Sequence, residues 1–275
     1  MNSKHGHHDR PPPPFKVAIL LNSYRSPFIS EIRDSYIRAI HAVSHDVSLA
    51  FFYPANKHDD FPDPADFDLI VIGGANVDPR TKHPWYSRIH KFILDVVANH
   101  PRKKLCGICW GHQTISLLFG GEVVDMEVPE VGEPCQRGWS MLTRPQLGVT
   151  ETKLTPAGRR FFAKQGGDGV LFLQQHHRRE VRTAPKGFHE LLAGHQSFLS
   201  HNGSILTFQG HPEKDAQCAK LRVHDAIRWF GVDPDDNAAL AEYERAMERP
   251  HDGAEIWARI LDWTREKHPN PEIHL

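Results

Sequence analysis

Cys109 stands in the run Gly107-Ile108-Cys109-Trp110-Gly111-His112-Gln113, between the apolar, strand-like Lys104-Leu105-Cys106 and a helical stretch at 114–119. Small residues two before and two after a cysteine let the chain turn sharply from strand to helix. The side chain between them then projects into open space, as serine does in a G-x-S-x-G elbow. At a helix N-terminus the thiol also feels the positive end of the dipole, which favours the nucleophilic thiolate. Taken alone, the elbow fits a buried structural cysteine about as well as a nucleophile. Gly210-His211-Pro212-Glu213 supplies the missing groups in one segment, an imidazole and a carboxylate two residues apart with a proline restricting the backbone between them. The carboxylate can hold one ring nitrogen and leave the other for the thiol, which is how a nucleophile, a base and an orienting group divide their work. With 20 histidines in the chain, one near a glutamate is cheap. Its pairing with the elbow is what favours Cys109, His211 and Glu213 as a catalytic unit.

The elements around these residues alternate. Strands are expected over 15–21, 47–53 and 68–73, and helices over 29–43 and 84–99, the second with Trp85, Ile89, Phe92, Ile93 and Val96 on one face. Such alternation implies an α/β fold with a mainly parallel central sheet covered by helices on both faces. The second half reads as shorter β pieces over 149–154, 170–173, 188–193, 197–199 and 204–208, with His201-Asn202-Gly203 as a hairpin turn. One helix is expected over 215–230 and two more over 237–247 and 254–267. Three regions follow: a disordered Pro- and His-rich arm over 1–14, one domain over 15–231, and a helical extension over 232–275. Ile256, Trp257, Ile260, Leu261 and Trp263 should pack that extension on the domain.

Composition narrows the function classes. The 275 residues carry a net charge of −1, and lysine and arginine are scattered, so neither a nucleic-acid surface nor another polyanion partner is implied. No run approaches the ~20 apolar residues that span a bilayer. The N-terminus lacks the apolar region of a signal peptide, and four cysteines are sparse for a disulfide scaffold, so the cytosol is the expected location, with the nucleus also open. Cys106 and Cys109 form a C-x-x-C pair, but Cys135, Cys218 and the histidines show no zinc-ligand spacing. Cys106 belongs to the strand and is expected in the core. No metal and no cofactor are expected.

Cys109 in G-I-C-W-G-H-Q together with His211 and Glu213 in G-H-P-E resembles a class I glutamine amidotransferase domain, over about residues 15–230. Leu69-Ile70-Val71-Ile72-Gly73-Gly74, Asp78 followed by Pro84-Trp85, Gly120-Gly121-Glu122-Val123 and the segments Leu147-Gly148-Val149 and Leu154-Thr155 extend the likeness. The resemblance implies a flavodoxin-like fold and a thiol hydrolase of γ-glutamyl amides. It implies an oxyanion hole from the backbone N–H groups of Trp110 and Gly74, and substrate contacts at Gly73, Gln113, Leu147, Gly148 and Val149. Gln113 suits helix capping equally well. One position departs from the pattern: where many members carry H-x-D-x-V, this chain has His177-Arg178-Arg179-Glu180-Val181, so Arg179 replaces an acid.

The chain has no P-loop and no Gly-rich nucleotide motif, so no synthetase is written into it. The expected partner is therefore a small γ-glutamyl substrate, and the favoured reading is a standalone hydrolase similar to γ-glutamyl peptidases. A glutaminase subunit serving a separate synthetase, a catalytically silent binding protein, and a related cysteine hydrolase of other amides or esters are the alternatives.

Overall fold

The computed structural model describes residues 15–126, 146–163 and 167–266. The proposed arm over 1–14 and Cys135 lie outside them. Five parallel strands form the centre of a seven-stranded sheet: β1 (Phe15–Leu20), β2 (Val47–Phe52), β3 (Leu69–Ile72), β4 (Lys104–Ile108) and β11 (Ile205–Phe208), in the order β2-β1-β3-β4-β11. This is the flavodoxin-like order, and ligands of such sheets bind outside the carboxyl ends of the strands. Two antiparallel strands, β10 (Ser197–Ser200) and β9 (Phe188–Leu192), extend the sheet beyond β11. The turn expected at His201-Asn202-Gly203 joins β10 to β11, with Gly203 at φ 68°. Two small antiparallel pairs stand apart: β5 (Glu122–Asp125) with β8 (Arg179–Thr183), and β6 (Gln146–Lys153) with β7 (Val170–His177).

The central strands read as apolar runs because both faces are covered. Val17, Ile19, Val71 and Leu206 pack on one side with α1 (Ile29–His41) and α8 (Gly253–Arg265), whereas Ala18, Leu20, Ile70 and Ile72 pack on the other with α2 (Pro84–Asn99) and α3 (Trp110–Leu118). The remaining helices are α4 (Pro156–Phe161), α5 (Ala216–Lys220), α6 (Asp225–Phe230) and α7 (Asn237–Met247). No helix among the described residues is long and apolar enough to cross a membrane.

Two expectations need correction. The helix expected over 215–230 is two short helices. Between them Arg222, Val223, Asp225 and Ala226 donate their N–H groups to carbonyls three residues back, which tightens the chain and swings Asp225 to His176. The strand expected over 170–173 runs on to His177, and β8 follows at once, since β6 and β5 offer partners that lie far away in sequence.

Trp257 of α8 is fully buried and meets Tyr36 of α1 edge-on, with ring centroids 6.1 Å apart. Trp263 donates its indole N–H to the Gly203 carbonyl at 3.0 Å. α8 is thus part of the core that backs the sheet. Trp257→Ala should lower stability by about 3–5 kcal/mol, read as a fall in the urea midpoint. Trp257→Phe should cost clearly less, because the buried indole N–H has no partner among the described residues and its removal relieves an unmet donor.

Candidate active site

Adjacent parallel strands β3, β4 and β11 end on the same edge of the sheet, with Ile72 beside Gly107 and Ile108 beside Phe208. Each strand hands over one part of the site just past its end: Gly74, Cys109 and His211. The Cys109 N–H donates to the Phe208 carbonyl at 2.8 Å, and the His211 N–H to the Gln174 carbonyl at 2.8 Å. Cys109 itself is the residue before α3 and adopts φ 52°, ψ −102°, a conformation strained for any residue with a side chain. The flanking glycines make the bend possible. A Cβ on Gly111 would lie 2.0 Å from the Ile72 carbonyl oxygen, and one on Gly107 would lie 2.9 Å from the Gly111 backbone.

His211 and Glu213 form a buried pair, Nδ1 to Oε1 at 2.7 Å, with side chains 5% and 2% exposed. Ser35 of α1 donates to the Glu213 carbonyl at 2.5 Å and fixes the segment. His211 Nε2 has no conventional hydrogen bond among the described residues, yet it lies in electrostatic reach of the thiol. Gly74 sits between the two groups: a Cβ there would stand 3.3 Å from His211 Cε1 and 3.6 Å from Cys109 Cβ.

Burial pushes the Cys109 thiol up, but the imidazolium of His211 and the ammonium of Lys214 outweigh it and hold the thiol below its ordinary value. Burial and Lys214 push His211 down, while Glu213 and Cys109 outweigh them and raise it. The two shifts describe a thiolate–imidazolium pair. By contrast, burial drives the Cys106 thiol up, in the core as expected, and pushes Cys218 up to about 11.

Gly74, Cys109, His211, Glu213, Lys214 and Cys218 line a cavity of about 200 Å³. Gln113 lines it too, with its amide N–H groups committed to the Arg179 carbonyl at 3.0 Å and Gln209 Oε1 at 2.9 Å. Trp110 turns its ring onto Trp85 and Tyr86, 5.1 Å and 5.3 Å between centroids. As the first residue of α3, it has no carbonyl four residues back within the helix to occupy its N–H. Gly73, Leu147, Gly148 and Val149 do not line the cavity. Gly73 is pressed against strand β1, where a Cβ would lie 2.8 Å from the Leu20 carbonyl oxygen. β6 pairs along β7, and Gly148, at φ 97°, lets α7 approach so closely that a Cβ would lie 2.8 Å from that of Ala246. β7 instead brings His176 and His177 to the cavity wall.

Arg179 lies at the wall with its Nε 3.1 Å from Asp78 and 3.4 Å from Asp125, beside Arg80, which reaches both acids at 2.6 Å. Burial raises the Asp78 carboxyl, but the two arginines override it and hold it down at about 2. The cation that replaces the expected acid is therefore balanced by the loop after β3.

A family model described as glutamine amidotransferase class-I matches residues 28–225. The chain belongs to the class I glutamine amidotransferase family. It is 26% identical to the glutamine amidotransferase-like protein chyE of Penicillium rubens over 91% of this chain and 97% of the relative. Its likeness to gamma-glutamyl peptidase 5 of Arabidopsis thaliana is 29% identity over 56% of this chain and 58% of that protein. Among solved structures, a glutamine amidotransferase from Thermotoga maritima matches with a TM-score of 0.65 at 15% identity, over 92% of this chain and 99% of that one, a likeness of fold. Within this amidotransferase site, the groups that residue patterns did not single out are Tyr36, His176, Lys214, Asp225 and Trp229. Only Lys214 carried a signal, as the residue after Gly210-His211-Pro212-Glu213.

Alkylation by iodoacetamide checks the electrostatics. Because the Cys109 thiol is lowered, its reaction should plateau with rising pH before an ordinary thiol, at about 8.5, is half ionised. Cys106 and Cys218 should stay unlabelled in the folded protein. His211→Asn removes the main charge that offsets burial, so the Cys109 midpoint should move up; an unmoved midpoint would show that the imidazole does not set the thiol.

Proposed function

We propose that this protein is a cysteine-dependent hydrolase of γ-glutamyl amide or peptide bonds that works through a thioester. The observation that carries the reading is the elbow cysteine facing, across Gly74, a buried histidine whose far nitrogen is held by Glu213 at 2.7 Å. The family membership and the γ-glutamyl peptidase among the relatives support the acyl group.

In this mechanism the Cys109 thiolate attacks the γ-carbonyl carbon, and the carbonyl electrons move onto oxygen. The N–H groups of Trp110 and Gly74 stabilise that oxyanion as it forms, a contribution that a dry, preorganised site makes large. As the oxyanion collapses, the C–N bond breaks and His211 gives its Nε2 proton to the departing amine. Water then attacks the thioester carbonyl while His211 takes its proton. Release of the γ-carboxylic acid regenerates thiolate and imidazolium. Glu213 keeps Nδ1 protonated throughout and orients the ring, as an acid does in a hydrolase triad. The net reaction is amide plus water to acid plus amine, and it uses neither ATP nor a metal.

The purified chain should therefore release free glutamate from a γ-glutamyl amide or peptide without added protein or nucleotide. Cys109→Ser should reduce turnover by about a thousandfold or more, as the hydroxyl is far harder to ionise. The Cys109→Ala/His211→Ala double variant should be hardly worse than either single variant, because members of one catalytic unit are strongly non-additive. Additive losses would assign His211 to binding or folding. Turnover that stays silent until a synthetase is added would favour the ammonia-delivering subunit instead.

A further inference from the structure

Beside Cys109, His211 and Glu213, the same cavity holds a second polar chain that runs from Lys214 through His176 to Asp225 and Arg222. Lys214 is only 8% exposed, and its Nζ donates to His176 Nδ1 at 3.1 Å. The opposite edge of that ring donates from Nε2 to Asp225 Oδ2 at 2.8 Å, and Arg222 reaches the same oxygen at 2.6 Å. Burial, reinforced by the ammonium of Lys214, drives His176 well below the ordinary imidazole range, so the ring is neutral and Nδ1 can only accept. Asp225 is thus occupied by His176 and Arg222. Lys214 gives one N–H to a neutral nitrogen and has no carboxylate within ion-pair distance among the described residues. A buried ammonium is costly unless an anion faces it. The thiolate of Cys109 is one such charge within its reach, but it is used up when the thioester forms.

The place of this chain in the reaction follows from His211. The departing amine collects its proton from His211, so whatever is attached to that amine lies beyond the imidazole. The His176 ring is 6.4 Å from the His211 ring, and the indole of Trp229 is 5.0 Å from His176, all on the cavity wall. Ammonia released from glutamine would leave this wall uncontacted. An amine bearing a carboxylate would place its anion at Lys214 and its body against Trp229.

The geometry points to a leaving-group subsite in which Lys214 and Trp229, with His176 fixed by Asp225 and Arg222, take the carboxylate of an amino acid or short peptide joined to the γ-glutamyl carbonyl. This rests on the hydrolase reading and names its substrate class: γ-glutamyl peptides ahead of glutamine. Lys214 binds the departing group, and Asp225 and Arg222 are positioning residues that act through His176.

The test compares γ-glutamylglycine with γ-glutamylglycinamide, which differ in the single carboxylate. Wild type should favour the acid by about tenfold or more in kcat/KM, the scale of one charge-assisted hydrogen bond. Lys214→Met should bring the two rates within about twofold of each other, and Lys214→Arg, which keeps the charge, should retain most of the preference. Any effect of Lys214 on the thiol acts on both substrates and cancels in the ratio. Equal, measurable turnover of both compounds by wild type, or a ratio unchanged in Lys214→Met, would overturn the inference. Calorimetry on Cys109→Ala separates this from the hydrolase reading: tighter binding of the acid by a protein whose wild type hydrolyses neither compound would sink the hydrolysis and leave the carboxylate site standing. Equal binding of both compounds would sink the site.

Discussion

The backbone of Cys109, at φ 52° and ψ −102°, is the constraint on which the rest of the structure depends. A residue with a side chain held there costs on the order of 1–3 kcal/mol, and such strain persists only where the surroundings over-determine it. Here they do so from three directions. The Cys109 N–H is bonded to Phe208 of β11, α3 is packed so tightly on β3 that Gly111 has no room for a Cβ, and Gly107 in β4 lies under the first turn of the helix. The parallel register of β3, β4 and β11 is therefore more than scaffolding. It is the clamp that keeps the thiol pointing at His211, and a slip in that register would release the elbow.

Two histidines on one cavity wall show how partners tip a charge that burial opposes in both. Both rings are buried and each holds a carboxylate, Glu213 for His211 and Asp225 for His176. Glu213 makes no ion pair with a lysine or arginine among the described residues, and His211 faces a thiolate, so its proton is favoured. For His176 burial is the largest push and the ammonium of Lys214 adds to it, while Asp225, shared with Arg222, offsets too little, so the neutral ring wins. The same wall thus presents one ring suited to move a proton and another suited to stay still. Charge balance separates the two roles over a distance of 6.4 Å between rings.

The C-terminal helices connect this wall to the core. α8 buries Ile256, Trp257, Ile260 and Leu261 in the same cluster as the strands, and Trp257 meets Tyr36, which itself lines the cavity. α7 lies along β6 through Gly148 and Ala246, and Gln174 of β7 donates to the Met247 carbonyl at 2.5 Å. β7 carries His176, so the helices after residue 231 help to hold the wall opposite the elbow.

The chain's local chemistry was enough to determine the elbow, the His211–Glu213 pair, the alternation of the first half and the burial of α8. Each rests on a pattern within about one element: glycines at two-residue spacing, an H-x-E segment, a helical apolar stripe. The extent of β7, the existence of β5 and β8, and the break between α5 and α6 were not legible, because each depends on a partner strand or side chain remote in sequence. The same holds inside the site. Leu147, Gly148 and Val149 are set against β7 and α7, and Arg179 is drawn to Asp78 and Asp125, acids about 100 and 50 residues earlier. Lys214, His176 and Asp225 converge only after β7 and the bent α5–α6 segment close on the same cavity. A sequence records the type of each charged group. Which groups share a low-dielectric space, and so set one another's charge, is decided by distances that only the folded chain creates.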